Sequence, residues 1–391
     1  MERKEFLVTA GGMVTAAMLS SFAWIENGKS EPGSKRAGER RPDPALFNEP
    51  ILKALALGLN APNPHNTQAW KFKVINPKEA IFYVDEKRLL NATDPIARQI
   101  HIGCGCFIAL FKIGASHLGF SAVVEYLPEG SYAFSEIGSK PVARLLLENS
   151  TTEEDYLYRH IFTRQTNRAI YEGSPLKEAE FNKMISRSKP EYSDVKLTCD
   201  PKKLQPMLEV LYKGMEVECY DWSAFDESRQ WFRVKNDIAK KRDGLNMRVS
   251  GVGNGLMLWL SETLLRDYSK KVWHNEGSIE GLLKSHYDKV MSSKGVVTFT
   301  TANNGLIDWI QCGQDYARFQ LAAHDRGFYL HPLSQVLQEY PAMKILCREF
   351  NQLMNVNEPA KTQMAVRIGR SSLLEYSYRR NPNDFLIKQS F

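Results

Sequence analysis

The sequence has few cysteines, and no arrangement of them that binds metal or staples a fold. Cys104, Cys106, Cys199, Cys219, Cys312 and Cys347 form no C-x-x-C pair and have no histidine at metal-ligand spacing, so no metal site is expected. A disulfide framework belongs to much shorter chains, so in an exported protein these thiols have to be buried. There is no basic block in the body of the chain either: 51 basic and 45 acidic residues are interspersed and leave a net charge of +6. The electrostatic footprint of nucleic-acid binding is therefore missing. A dinucleotide fingerprint is missing too, because Gly251-Val-Gly-Asn-Gly255 follows no predicted strand and has the wrong spacing. What the composition does hold, 43% hydrophobic and 11% aromatic residues over 391 positions, suffices for one large core or two ordinary ones.

The N-terminus differs in kind from the rest. Met1 to Leu7 leads into the apolar, small-residue run Val8 to Ile25, and then into Glu26 to Pro44, rich in Gly, Ser, Pro and charged residues. This is the pattern of an export signal or membrane anchor over residues 1–25, followed by a flexible linker over 26–44. Arg3-Lys4-Glu5-Phe6-Leu7 resembles the twin-arginine signal, with Lys in place of the second Arg. Ser21-Phe22-Ala23 offers a cleavage site; left uncut, a run of about 18 residues is long enough to stay in the membrane. The expected location is the periplasm or the outer face of the cytoplasmic membrane, with the export machinery as a partner. The alternative is a buried N-terminal helix, for which the polar linker offers no packing surface.

In chain order, apolar positions from Leu46 to Leu59 fall on one helical face, and Trp70–Val74 and Ala80–Val84 form a predicted hairpin around Asn76-Pro77. A long helix is expected from Asp94-Pro95 to about Leu118, stopped by Gly119, and then strands at 123–127 and 142–147. A second unit begins with a helix at 156–162, and continues with a helix at 177–185 and a strand at 195–198. Its last elements are a strand at 295–301, a helix, and a strand at 364–369. Residues 201–295 form a helical, aromatic-rich insertion that the first unit lacks, with Trp222, Phe225, Trp231, Trp259 and Trp273. We expect it to act as a lid, hinged at its glycines.

Sliding the chain against itself places Cys104-Gly-Cys-Phe-Ile-Ala-Leu-Phe-Lys-Ile-Gly-Ala-Ser-His-Leu-Gly-Phe120 over Cys312-Gly-Gln-Asp-Tyr-Ala-Arg-Phe-Gln-Leu-Ala-Ala-His-Asp-Arg-Gly-Phe328 without a gap. Cys, Gly, Ala, Phe, Ala, Gly and Phe recur in register. Gly105 and Ala109, like Gly313 and Ala317, share a helix face where backbones can approach closely. Two units, 45–150 and 151–391, are therefore expected to pair about a pseudo-twofold axis as an intramolecular dimer within a monomer, an α+β fold. The alternative is that each helix packs only on its own sheet.

Two polar stretches stand out as candidate sites. Between the first helix and the hairpin, Pro62, Asn63, His65, Asn66, Thr67 and Gln68 offer many donors and acceptors on a backbone stiffened by Pro62 and Pro64. Arg164-Gln-Thr-Asn-Arg168 combines two guanidiniums and a hydroxyl in a plausible phosphate cradle. Taken singly, each also reads as an ordinary turn.

Together, Ala61-Pro62 with Asn66 and Gln68-Ala-Trp70, Arg164-x-Thr166-x-Arg168, Gly327-Phe328 with Pro332-Leu-Ser334, and Arg367-x-Gly-Arg370 resemble the flavin-dependent nitroreductase family over roughly residues 45–375, insertion excluded. Asp94-Pro-Ile-Ala-Arg98, Arg164-Gln-Thr-Asn-Arg168 and Arg242-Asp-Gly-Leu245 resemble its Acg-like branch, in which two units are fused and a lid interrupts the second. The resemblance implies FMN at the pseudo-dimer interface, with Arg164, Thr166, Arg168 and Arg367 on its phosphate and Arg370 as a second C-terminal candidate. Pro62, Asn63, Asn66 and Gln68 would face ring and ribityl, and Leu333 and Ser334 the N5 edge. No catalytic side chain is assigned. Asn63 replaces the family's Ser. The first unit carries the ring loop without the arginines and the second the arginines without the loop, so one flavin site is expected. The implied activity moves electrons from NAD(P)H or another donor through FMN to a small-molecule nitro, quinone or similar acceptor. The alternatives are a flavin-binding or storage protein whose lid blocks turnover, and a structural envelope protein without flavin.

Overall fold

The computed structural model describes residues 40–387 apart from 152 and 252–254. Residues 1–25, expected as an export signal or anchor, and most of the expected linker at 26–44 lie outside the described residues. After a short 3-10 turn at Pro44–Leu46, helix α1 (Pro50–Gly58) starts with proline at its first position, where a missing N–H costs nothing, so it begins later than the apolar pattern alone suggests. Strands β1 (Trp70–Asn76) and β2 (Glu79–Val84) form the expected hairpin. The long helix α2 (Arg98–His117) and strands β3 (Phe120–Tyr126) and β4 (Ala143–Asn149) complete an antiparallel sheet of order β1-β2-β4-β3.

The second unit repeats this plan. Helix α3 (Glu178–Ser188) precedes β5 (Asp194–Thr198), and the segment expected as a helix at 156–162 is a 3-10 turn, Tyr156–His160. Strand β6 (Val296–Thr301), helix α10 (Leu306–Asp325), and strands β7 (Tyr329–Pro332) and β8 (Lys361–Gly369) give the order β5-β6-β8-β7. In both sheets the long helix joins the second strand to the third. Helix α11 (Lys344–Met354) lies between β7 and β8.

The two long helices pack directly on each other, and the contact is reciprocal. A β-carbon on Gly105 would run into the Ile310 carbonyl, and one on Gly313 into the Ile102 carbonyl. Ile102 and Ile310, like Gly105 and Gly313, occupy equivalent places in the gap-free self-alignment, as an isologous contact requires. Around this crossing one core holds both units, including a first-unit aromatic cluster in which Phe107 lies 5.4 Å from Trp70, 4.8 Å from Phe72 and 5.0 Å from Phe82. Arg98 crosses the same boundary: Nη1 donates to the Gln363 carbonyl at 2.8 Å and Nη2 to the Leu337 carbonyl at 2.7 Å.

The insertion comprises α4 (Pro201–Tyr220), α5 (Trp222–Gln230), α6 (Asn236–Lys241), α7 (Leu256–Leu264), α8 (Lys270–Trp273) and α9 (Glu276–Met291). The expected lid does not extend over the whole of it. Leu204, Met207, Leu208 and Leu211 of α4 and Val290 of α9 share a core with Val296, Leu333 and Phe350, so both ends of the insertion belong to the second unit's body. The chain after β8 returns to the first unit. The Phe385 ring lies tilted, 6.2 Å from that of Trp70, and the Ile387 N–H donates to the Phe72 carbonyl at 2.8 Å.

Candidate functional site

The site lies where the loop after α1 meets the turn at 164–168. Just beyond the end of α1, arginines from three segments, Arg41, Arg164 and Arg379, converge on the backbone carbonyls of Leu59, Asn60 and Ala61. Arg164 Nη1 donates to the Asn60 carbonyl at 2.7 Å, Arg379 Nε to Leu59 at 2.9 Å and Nη2 to Ala61 at 3.0 Å, while Arg41 Nη2 donates to the Arg164 carbonyl at 3.2 Å. The loop itself is held in a sparsely populated conformation. His65, Asn66 and Gln68 have φ of 47°, 54° and 52°, the left-handed region that non-glycine residues avoid. Such strain persists only when the surroundings impose it.

Those surroundings are the insertion and the C-terminal tail. Asn66 Nδ2 donates to the Gly244 carbonyl at 3.2 Å, and its Oδ1 accepts from Arg379 at 2.8 Å. Gln68 Nε2 donates to the Arg242 carbonyl at 2.9 Å, and its Oε1 accepts from the Arg380 N–H at 2.8 Å. Asp243, next to both contacts, bridges Arg88 at 2.9 Å and Arg233 at 2.8 Å. Farther along the insertion, Glu227 accepts the N–H groups of Ala92 and Thr93. On the other wall, Gln165 and Asn167 tie the arginine turn to the tail through the Leu374 carbonyl at 3.1 Å and the Ser372 carbonyl at 2.8 Å.

The residues singled out in the sequence are placed differently from one another. Pro62 is buried, and Asn63 closes the loop on itself, accepting from the Gln68 N–H at 2.8 Å. Arg164 is spent on Asn60 and on Gln320 Oε1 at 2.8 Å. Arg367, fully buried on β8, donates to His331 Nδ1 at 2.9 Å and the Ala169 carbonyl at 2.7 Å, with its guanidinium 4.0 Å over the Tyr171 ring. Arg370 is not part of this group: it is exposed, stacked 3.9 Å over Phe328, and bonded to the Arg326 and Gly327 carbonyls. It follows Gly369, the last residue of β8, and stays outside because alternate residues of an extended chain face opposite ways. The Leu333 N–H, expected to face a ligand, instead continues the sheet to the Ala365 carbonyl at 2.8 Å, and Ser334 opens the 3-10 turn that follows.

Arg168 is the exception. Among the described residues its guanidinium makes no hydrogen bond or ion pair, and the Thr166 hydroxyl likewise has no partner. Burial is the main cause that holds Arg168 down to about 10, with Arg367 and Arg164 adding to it; burial likewise holds Arg164 to about 10, and burial with Arg164 holds Arg41 to about 9. Burial, then Arg367 and Arg168, lowers Lys289 to about 8. None of Arg41, Arg164, Arg168, Arg367 and Arg379 pairs with a carboxylate among the described residues. Excess buried positive charge of this kind calls for an anion.

Arg41, Arg379, Arg380 and Lys289 were not expected from the sequence. Of these only Tyr376-Ser-Tyr-Arg-Arg380 carried a signal, a basic pair beside aromatics after the last strand.

No family model matches the chain. An 87-residue stretch is 33% identical to "Putative NAD(P)H nitroreductase acg" of Mycobacterium tuberculosis, covering 22% of this chain and 26% of the relative. A second M. tuberculosis protein, "Putative NAD(P)H nitroreductase Rv3131", is 30% identical over 81 residues, 21% of this chain and 23% of its own. Both relatives are nitroreductases by name. The matches thus span about a quarter of the curated relatives' length, 26% and 23%. Among solved structures, an FMN and NADPH-dependent nitroreductase from sphigopyxis sp. strain HMH aligns at 12% identity over 60% of this chain and 99% of its own, with a TM-score of 0.38. A nitroreductase-like family protein from Bacillus cereus aligns at 11% identity over 60% of this chain and 96% of its own, with a TM-score of 0.32.

Proposed function

We propose that the chain is a nitroreductase-family protein of the Acg-like branch that binds FMN and passes electrons from NAD(P)H or another donor to a nitro, quinone or similar acceptor. The observation that carries this reading is the uncommitted Arg168 guanidinium within a group of buried cations lacking any described carboxylate. A phosphate monoester supplies the missing charge and several acceptors for charge-assisted bonds. The similarity of the 87-residue stretch to a mycobacterial nitroreductase supports the same reading.

The donor set fits the phosphate end of FMN. Arg168 and the Thr166 hydroxyl would hold the phosphate. Arg164 and Arg367, their hydrogen bonds spent on the protein, would act by charge and by fixing Asn60, Ala169 and His331 around it. Bound FMN would supply the hydride chemistry, and the chain supplies position and field. The ring end fits less well: Asn66, Gln68 and the Leu333 N–H are already paired.

That pairing favours a second reading, a flavin-binding protein whose insertion restrains turnover. Arg242 and Gly244 of the insertion take the amides of the loop that would face the ring, so turnover would require the 242–245 segment to release them. In this proposal the protein is exported, to the periplasm or the outer membrane face, and works as a monomer containing one pseudo-dimer. Protein that is colourless as purified and stays so with added FMN would sink both flavin readings. If it is yellow, anaerobic NADH or NADPH decides: bleaching of the flavin band supports the oxidoreductase, and an unchanged spectrum the restrained binder.

A further inference from the structure

His65 sits on the strained loop with its imidazole in the electrostatic neighbourhood of Arg168, where the positive charge helps burial keep it neutral. Its Nε2 lies 3.0 Å from Ser228 Oγ, and Ser228 Oγ lies 2.8 Å from Glu218 Oε1. His65 Nδ1 has no partner among the described residues. Glu218, on α4, is 5% exposed; Oε2 has no partner in hydrogen-bond geometry, although Gln335 and Gln338 lie beside it. Among the described residues no cation faces this carboxyl. Its neighbours are Ser228 and Glu227 on α5, Gln335, Gln338 and Tyr340 after β7, and Cys219 on its own helix. Facing His65 are Arg168 and Ser228.

We propose that Glu218, through Ser228, sets which ring nitrogen of His65 carries the proton, and so makes His65 a pH-dependent ligand of the anion bound beside Arg168. The argument is one of donors and acceptors. A carboxylate only accepts, so Ser228 must donate to it and Nε2–H of His65 must donate to Ser228. Nδ1 then carries a lone pair, which repels an anion. A neutral carboxylic acid can donate to Ser228, whose hydroxyl turns to donate to Nε2, and the ring proton resides on Nδ1. That N–H is a donor to the anion. No net charge moves within the chain: one proton leaves the carboxyl for solvent or returns to it, and the imidazole stays neutral in both states.

Burial, with Glu227 adding to it, raises Glu218 to about 7, so the exchange falls in the neutral range. The sign follows: anion affinity is high below that value and falls above it. Lys289 loses its proton at slightly higher pH, so the readout is the difference between wild type and variants rather than the slope alone.

The assignment rests on the anion site of the proposed function but not on flavin. The test is a thermal-shift titration of the full chain with sulfate, whose charge stays constant over the range, run in parallel with FMN uptake. Wild-type sulfate affinity should fall about tenfold between about pH 6 and about pH 8, the worth of one hydrogen bond to a charged acceptor. Glu218→Gln, whose side chain does not titrate, should lose the part of this fall that Glu218 causes and keep only the smaller part due to Lys289. Ser228→Ala should show the same reduced dependence, because the link is cut. Nitrogen NMR of His65 in the sulfate-saturated wild type should show Nδ1–H on the acid side and Nε2–H on the alkaline side, a readout that needs no variant to fold. A wild-type affinity that does not change with pH, an equal fall in both variants, or one His65 tautomer throughout overturns the assignment. Sulfate binding with the expected pH dependence but without FMN uptake overturns the flavin reading and leaves His65 standing. FMN uptake with pH-independent sulfate affinity does the reverse.

Discussion

Arg164 and Arg168 share one short turn and one residue type, yet the protein uses them differently. Arg164 is part of the frame: its loss would strand Gln320 Oε1 and leave the Asn60 carbonyl only the longer bonds from Arg41 and Arg379, so Arg164→Ala should cost about 1–3 kcal/mol of stability, read by urea unfolding. Arg168 has no such bonds to lose. Arg168→Ala should leave stability nearly unchanged and weaken FMN retention by about 1.5–3 kcal/mol, the worth of a charge-assisted phosphate contact, read by equilibrium dialysis. FMN affinity equal to wild type would remove Arg168 from the phosphate. Glu218 gives a pH prediction for the apo protein. Its folded value, raised by burial from 4.5 to about 7, favours the neutral form, so its contribution to stability is fully present below 4.5 and lost once the pH has risen through about 7. Glu218→Gln removes that titration, so the variant should gain in melting temperature relative to wild type on going from acid to mildly alkaline buffer. A constant difference across pH would contradict a buried, raised Glu218.

Among the elements, the crossing of α2 and α10 depends on Gly105 and Gly313, because each places its missing side chain against a backbone carbonyl of the other helix. A carbonyl in a helix cannot retreat as a side-chain end can. Gly105→Val or Gly313→Val should therefore cost at least about 1–3 kcal/mol by overpacking, measured by chemical unfolding. Gly119, where nothing lies near a β-carbon, should matter through its φ of 81° alone. The loop after α1 depends on elements far from it in sequence, the 242–245 segment and the tail. Arg379→Ala should loosen the loop, detected as faster amide exchange at 63–68, since Arg379 alone bridges Leu59, Ala61 and Asn66.

On the scale of the whole molecule, two units of equal topology meet as a dimer would, within one chain. Light scattering is expected to give a monomer mass, since the face that a homodimer would use is already occupied by the second unit. The asymmetry between the units matters as much as the symmetry. Arg164 of the second unit reaches Asn60 of the first, so loop and arginine turn form one site, and the sequence shows no second copy of either. FMN bound at saturation should therefore approach one per chain, read from flavin absorbance after dialysis.

The hairpin, the long helices and their small-residue faces were legible because each depends on local spacing: period two in strands, four-residue steps on helices, and glycine where the chain must stop or approach closely. The six cysteines are unpaired, but the expectation that all are buried fails for Cys199 and Cys347, which are half-buried. The identity of the polar loop and of the arginine turn as special stretches came from residue type alone. Which arginine is free did not. That depends on which side chains reach the carbonyls of Leu59, Asn60 and Ala61, and Arg41 and Arg379 arrive there from other segments. Nor could spacing reveal that Leu333 spends its N–H on Ala365, that Arg370 faces away, or that His65, Ser228 and Glu218 meet from three segments. Local periodicity is written in neighbouring residues; the partner of a buried polar group is chosen by packing between distant ones, and only the tertiary structure decides it.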